Sequence, residues 1–254
     1  MVGSVGKKPI WLNRLRLRFK DFFSWAMGKN KNSVPDNPQF YGRRKGHALR
    51  PHRQLLMNEL LPEVQVSSEG NYVLDASEIW LEIGFGAGEH LAAQAESHPD
   101  IGFIGCEPYV NGVATLLSVI EQKKLTNIRI FNDDARLLLT KLKQATISKV
   151  FVLFPDPWPK KRHNRRRFIT PENLTTLSYI MTDQAELRFA TDDMNYVRWA
   201  LDAFYQHPDF NWQDQRPGDW SNRYADAVPT RYETKAVKQG KKSVYLTFRR
   251  RTRT

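Results

Sequence analysis

One cysteine, Cys106, is all that a chain of 254 residues offers, which excludes an intramolecular disulfide and any zinc site built from several thiolates, and fits a reducing compartment. Long apolar runs are missing as well. None has the length to span a bilayer or to form a signal-peptide core, so a cytoplasmic protein with no requirement for a membrane is expected. Charge of one sign is scarce by region. Residues 1–53 hold thirteen Lys/Arg against Asp21 and Asp36 alone, whereas residues 59–134 hold thirteen Asp/Glu against Lys123, Lys124 and Arg129. The net charge of +12 thus hides an acidic half set between basic segments, which implies two different ligands on one chain. A hydrophobic content of 41% is enough for the core of one domain with additions.

What is present is most concentrated in Phe151–Arg167, FVLFPDPWPKKRHNRRR. Val150–Phe154 is continuously apolar and β-branched or aromatic, which reads as a strand covered on both faces. Pro155, Pro157 and Pro159 then remove alternate backbone donors and fix φ, so neither ladder nor helix continues. Asp156 and Trp158 are therefore expected in an extended loop at the carboxyl end of a strand, where open α/β sheets place their ligands. Lys160, Lys161, Arg162, Arg165, Arg166 and Arg167 follow. A carboxylate can accept hydrogen bonds from a base edge, an indole can stack on a base, and clustered cations can hold phosphates. A solvated surface loop would account for the cations alone, but not for their position behind a buried strand and an Asp-Pro-Trp.

The chain opens with an amphipathic segment, Pro9–Met27, whose apolar residues Trp11, Leu12, Leu15, Phe19, Phe22 and Phe23 recur at helical spacing. Three readings compete for it: an accessory helix packed on the domain or touching RNA, a membrane-surface helix, or an Arg-rich targeting segment. Lys29–Pro38 is a polar linker, so the domain division expected is 1–38 as a basic amphipathic extension with its linker and 39–254 as the main domain. Phe40–Arg53 is rich in Gly, Pro and Arg and reads as an irregular arm for phosphates. A short helix is predicted over Gln54–Leu61, ending before Pro62.

An α/β core begins at Ile79–Ile83, a strand followed by Gly84-Phe85-Gly86-Ala87-Gly88 and a helix over Glu89–Ser97. A glycine turn between strand and helix lets a cofactor approach the backbone, which alone would permit a dinucleotide. Glu89, however, stands where the third glycine of G-x-G-x-x-G would fall, and Glu82 closes the strand. A pyrophosphate prefers bare N–H groups there, while flanking carboxylates suit a cation such as the sulfonium and ammonium of S-adenosylmethionine. The next strand, Ile101–Cys106, ends in Glu107, placed for a ribose diol. After helix Val110–Lys124 and strand Asn127–Phe131, Asp133 or Asp134 is suited to an adenine amino group. Each such acid taken singly is more readily a helix N-cap; four in register, Glu82, Glu107, Asp133 or Asp134, and Asp156, are not explained as caps alone.

Beyond the basic run, Thr170 and Pro171 start a helix to about Thr182, Ala185–Ala190 is a fifth strand ending in Asp192, and Asn195–Gln206 is a helix. Phe210–Tyr224 shows little periodicity and is expected to be a loop. Thr234–Lys238, a Gln239-Gly240 turn and Ser243–Phe248 read as a closing antiparallel hairpin, with a frayed basic tail after it.

Together, Glu82-Ile-Gly-Phe-Gly-Ala-Gly88, Phe154-Pro-Asp-Pro-Trp158 with its basic run, Ala190-Thr-Asp192 and Thr230-Arg-Tyr-Glu233 resemble the bacterial tRNA (guanine-N7-)-methyltransferase family, which modifies guanine 46 of the variable loop. The resemblance covers roughly Phe40–Arg250. It implies a Rossmann-like class I methyltransferase with a seven-stranded, mostly parallel sheet and S-adenosylmethionine and tRNA as its partners. It also implies that Glu82, Glu107, Asp134 and Asp156 contact the cofactor beside Gly84, Gly86 and Gly88, with Asp156 the active-site residue. Lys160, Asp192, Thr230, Arg231, Tyr232 and Glu233 would contact tRNA, and no metal is called for. The family more often has Lys-Phe where this chain has Arg231-Tyr232, a change that keeps charge and aromaticity. The other classes weighed are a non-catalytic RNA-binding module, which leaves the acidic strand ends idle, a dinucleotide oxidoreductase, which leaves the basic loop idle, and a methyltransferase for another RNA base.

Overall fold

The computed structural model of the chain describes residues 39–253 apart from 68, 73 and 215, and it excludes the side chains of Pro217 and Tyr232. The amphipathic segment, the linker and the expected domain boundary at residue 38 lie outside the described residues.

Seven strands form one sheet in the order β3-β2-β1-β4-β5-β7-β6. β1 (Glu78–Ile83), β2 (Ile101–Cys106), β3 (Ile128–Phe131), β4 (Ile147–Leu153) and β5 (Met181–Thr191) run parallel, while β7 (Val244–Arg250) lies antiparallel to both β5 and β6 (Phe210–Trp212). β2 and the inner parts of β1 and β4 are nearly all apolar because helices cover both faces, while β5 is longer and carries polar residues as well. On one face α1 (Pro51–Val64), α2 (Glu89–Ser97) and α3 (Val110–Lys123) pack Leu56, Leu91, Leu116 and Leu117 against Phe103, Ile130 and Phe151. On the other, α4 (Ala135–Leu139), α5 (Pro171–Ile180) and α6 (Met194–Gln206) pack Leu138, Leu174, Leu177 and Tyr196 against Ile104, Val152 and Leu187.

The order of strands fixes where a ligand fits. From β1 the chain steps outward through β2 and β3, then returns to the far side of β1 as β4, so the connections leave in opposite directions and open a crevice at the carboxyl ends of β1 and β4. Into it project the glycine turn after β1 and the Asp156 loop after β4.

The structure corrects four local expectations. α1 starts at Pro51 and runs through Pro62 to Val64, because a proline in the last turn costs one backbone bond rather than the helix. Thr234–Lys238 is no strand: Arg231–Lys238 forms the helix α8, and Thr230 caps it by accepting the Glu233 N–H at 3.2 Å. That is a Thr-x-x-Glu capping pattern. The antiparallel partner of β7 is instead β6, within the stretch expected to be a loop, which also contains the one-turn helix α7 (Pro217–Ser221). Nor is the tail frayed: Arg253 donates to the carbonyls of Ser178, Tyr179 and Met181 and joins Arg250 on Asp183, closing the end of α5.

Candidate active site

The glycine turn is held by its neighbours' backbone. Gly84, Gly86 and Gly88 all have positive φ, at 74°, 61° and 82°. A Cβ on Gly112, at the start of α3, would fall 2.1 Å from the Gly86 carbonyl oxygen, so helix and turn touch backbone to backbone. Among the described residues, a Cβ on Gly84 would meet nothing within 4 Å, which leaves the turn open on that side to a ligand. Glu107, at the end of β2, stitches the crevice together: one oxygen accepts the Gly86 N–H at 2.8 Å and the other the Tyr109 N–H at 2.9 Å. Burial pushes the Glu107 carboxyl up to about 7 against those two donors, and the negative charges of Asp156 and Glu82 push the same way. These three carboxylates come from the ends of three neighbouring strands.

The remaining acids are individually engaged. Glu82 is buried beneath the turn, 2.7 Å from His90 Nδ1, while His90 Nε2 is buried without a partner among the described residues. Asp134 is the N-cap of α4, accepting the Arg136 N–H at 3.0 Å, and its carboxylate is gripped by the Arg136 guanidinium at 2.5 to 3.1 Å. Asp133 instead meets Arg44 of the arm at 2.7 Å.

The Asp156 loop is strained and anchored. Phe154 and Trp158 adopt φ of 51° and 44°, unusual for bulky residues, and bracket the aspartate. Arg167 holds the loop from behind, its Nε donating to the Pro157 carbonyl at 2.8 Å and its guanidinium packing on Tyr196 and Trp199. Arg167 is only 3% exposed, which corrects its place among the phosphate-holding cations. Lys160, Lys161, Arg162 and Arg165 are exposed on or beside a short 310 helix, Lys161–Arg166. The Asp156 residue is open to solvent, yet protein crowds its carboxyl and partial desolvation raises the pKa. Tyr41, Asp134, Asp156, Trp158 and Arg166 line a common cleft of about 130 Å³.

The residues expected to meet tRNA divide. Asp192 pairs with Lys241 at 2.8 Å. Arg231 pairs with Glu89 at 2.7 Å, bringing the Thr230–Glu233 motif beside the helix that follows the glycine turn. Glu233 faces inward, buried, and accepts from Tyr245 Oη at 2.5 Å and Arg223 Nε at 2.8 Å. Sequence reasoning missed the arm's wall-forming part. Asn111 clasps it through the Gly46 N–H and the His47 carbonyl, each at 2.8 Å, and the Arg44 carbonyl accepts the Val110 N–H at 2.9 Å. Only the aromatic pair Phe40-Tyr41 beside the arginines hinted at a role beyond charge.

Comparison with known proteins adds an independent line. The family described as "Putative methyltransferase" matches residues 76–246. A tRNA (guanine-N(7)-)-methyltransferase of Rhodospirillum rubrum is 46% identical over 235 residues, covering 87% of this chain and 92% of its own. The protein of that name from Paramagnetospirillum magneticum is 44% identical over 240 residues, covering 89% and 100%. Among solved structures, the 16S rRNA methyltransferase KamB superposes with a TM-score of 0.52 at 12% identity, covering 70% of this chain and 90% of that one, a likeness of fold.

Proposed function

The chain belongs to the tRNA (guanine-N(7)-)-methyltransferase family, and from that premise we propose that it methylates N7 of guanine 46 in tRNA, in the cytoplasm, with S-adenosylmethionine as donor. The observation that carries the reading is the placing of Glu82, Glu107 and Asp156 at or just beyond the carboxyl ends of the neighbouring strands β1, β2 and β4, beside an open glycine turn and an exposed cationic run. The donor set fits such a cofactor: carboxylates for a cation and for ribose hydroxyls, and a turn that a ligand can approach where Gly84 has no side chain. Glu82, Glu107 and Asp134 with Gly84, Gly86 and Gly88 would hold it; Lys160, Asp192, Thr230, Arg231 and Tyr232 would meet the RNA, while the buried Glu233 would support that motif from within. S-adenosylmethionine, when bound, supplies an electrophilic methyl on a sulfonium.

Guanine N7 carries a lone pair and no proton, so no side chain has to remove one. As the N7–carbon bond forms and the sulfur–carbon bond breaks, the purine becomes cationic and the sulfonium charge is lost. The protein's share is then orientation and a negative charge near the purine, both of which Asp156 can supply. tRNA carrying 7-deazaguanine at the target position should bind but accept no methyl, because a C–H replaces the lone pair. Asp156→Asn is expected to lower the methylation rate on the order of 10²–10³-fold. Transfer to the deaza substrate, or rescue of Asp156→Asn at high pH, would sink the mechanism and indicate a nitrogen that has to lose a proton.

A further inference from the structure

We propose that the rings of Tyr41 and Trp158 form the slot that takes the target base, and that Arg166 keeps this slot filled with a flat cation until the base displaces it. The proposal deepens the reading of the Asp156 loop as the guanine site and rests on it. Tyr41 comes from the arm and Trp158 from the loop after β4, and their rings meet edge to face with centroids 6.2 Å apart. The Arg166 guanidinium carbon lies 4.1 Å from the centre of the Tyr41 ring and 5.0 Å from that of Trp158. All three line the cleft that contains Asp156. The flanking residues do otherwise: Arg165 is exposed and Arg167 is buried against Tyr196 and Trp199.

A guanidinium carries five donors and is best held by oxygens. Among the described residues, the buried Nε of Arg166 has no hydrogen-bond partner, so aromatic faces retain it where an ion pair does not. A group so held is exchangeable. N7-methylguanine shares two of its properties, being flat and positively charged though larger, whereas guanine is flat but neutral. Rings that attract a planar cation therefore favour the purine more as its charge grows, which is the differential stabilisation a methyl transfer needs. Arg166 cannot share the slot at that moment, since two like charges a few ångströms apart repel. It has to leave, and the polyanionic substrate provides a phosphate to receive it. The tRNA backbone thus draws out the occupant that its own guanine replaces.

The test uses full-length protein and 7-methylguanosine, a nucleoside with no phosphate, titrated by calorimetry, alongside tRNA binding across a salt series. Arg166→Gln should bind the nucleoside roughly two- to fivefold more tightly than the parent, while the slope of log K against log salt for tRNA falls in magnitude by ~0.7–0.9. Arg166→Lys separates the two roles: a charge is kept for the phosphate but no flat group fills the slot, so the nucleoside gain remains and the salt slope does not change. Tyr41→Leu should weaken nucleoside binding, alone or combined with Arg166→Gln. If both Arg166 variants bind the nucleoside no better than the parent, Arg166 is a wall of the site and the proposal is overturned. If no form binds the nucleoside while the parent methylates tRNA at guanine N7, the slot assignment fails and the functional reading stands. Absence of N7 methylation by the parent would instead remove the reading beneath it.

Discussion

Glu107 shows how one side chain carries structure, ionisation and binding together. It is buried, bonded to two backbone N–H groups, and raised from 4.5 to about 7. A carboxyl whose folded pKa lies above its unfolded value binds protons more tightly in the native state. Its contribution to stability is therefore present below the unfolded value and is lost as pH rises through the folded one. Over the window from about 4.5 to 7 the loss is of order 3 kcal/mol, and Glu107→Gln should flatten the decline of the unfolding free energy between those pH values. Comparing slopes with pH, not single midpoints, removes the separate cost of the acceptor that glutamine lacks. If the ionised form accepts the ribose hydroxyls, cofactor affinity should rise with pH through about 7 in the parent and stay flat in Glu107→Gln. A parent with no such rise would move the ribose contact to another residue.

At the scale of elements, legibility in the sequence followed length and periodicity. Glu89–Ser97 and Ile101–Cys106 were bounded correctly because each combines a clear pattern with a clear stop, glycines on one side and an acid or His-Pro on the other. Thr170 with Pro171 likewise announced α5. β6 has three residues, too few to show alternation, and its pairing with β7 is settled by a strand more than thirty positions away. α8 was misread although the Thr-x-x-Glu signal stood in plain view, because its apolar residues also suited a short strand. In the site, the carboxylates and glycines were legible from chemistry at strand ends. The inward turn of Arg167 was not, since nothing in a run of arginines tells which one faces Tyr196. The docked tail gives a prediction at this scale. Arg253→Ala removes the second donor from the Ser178 and Tyr179 carbonyls, which keep Arg250 Nε and the Ala145 N–H, and should cost about 1 kcal/mol in urea unfolding, with methylation retained at temperatures where the fold is intact.

Over the whole molecule, the exposed cations and the buried one should separate by salt. Replacing Lys160, Lys161 and Arg165 together is expected to reduce the magnitude of the log K versus log salt slope for tRNA by ~0.7–0.9 for each phosphate that is no longer neutralised. Replacing Arg167 should instead lower the unfolding midpoint, because Pro157 and Asn195 lose their donor, while the slope of whatever folds is preserved. An unchanged slope in the triple variant would mark the exposed cations as a solvated face.

The place of β7 bears on how the chain is made. Although it is the last strand in sequence, it lies between β5 and β6, so until Val244–Arg250 has been synthesised β5 presents a free edge carrying Leu187 and Phe189. An unpaired apolar edge invites a neighbouring chain to pair with it, and a nascent chain folding from its N-terminus carries this edge for as long as the stretch between β5 and β7 takes to translate. Ribosomes stalled before Val244 should accordingly yield chains that hold the parallel half of the sheet yet self-associate. Supplying a peptide of residues 244–253 in trans would be expected to suppress that association by completing the edge.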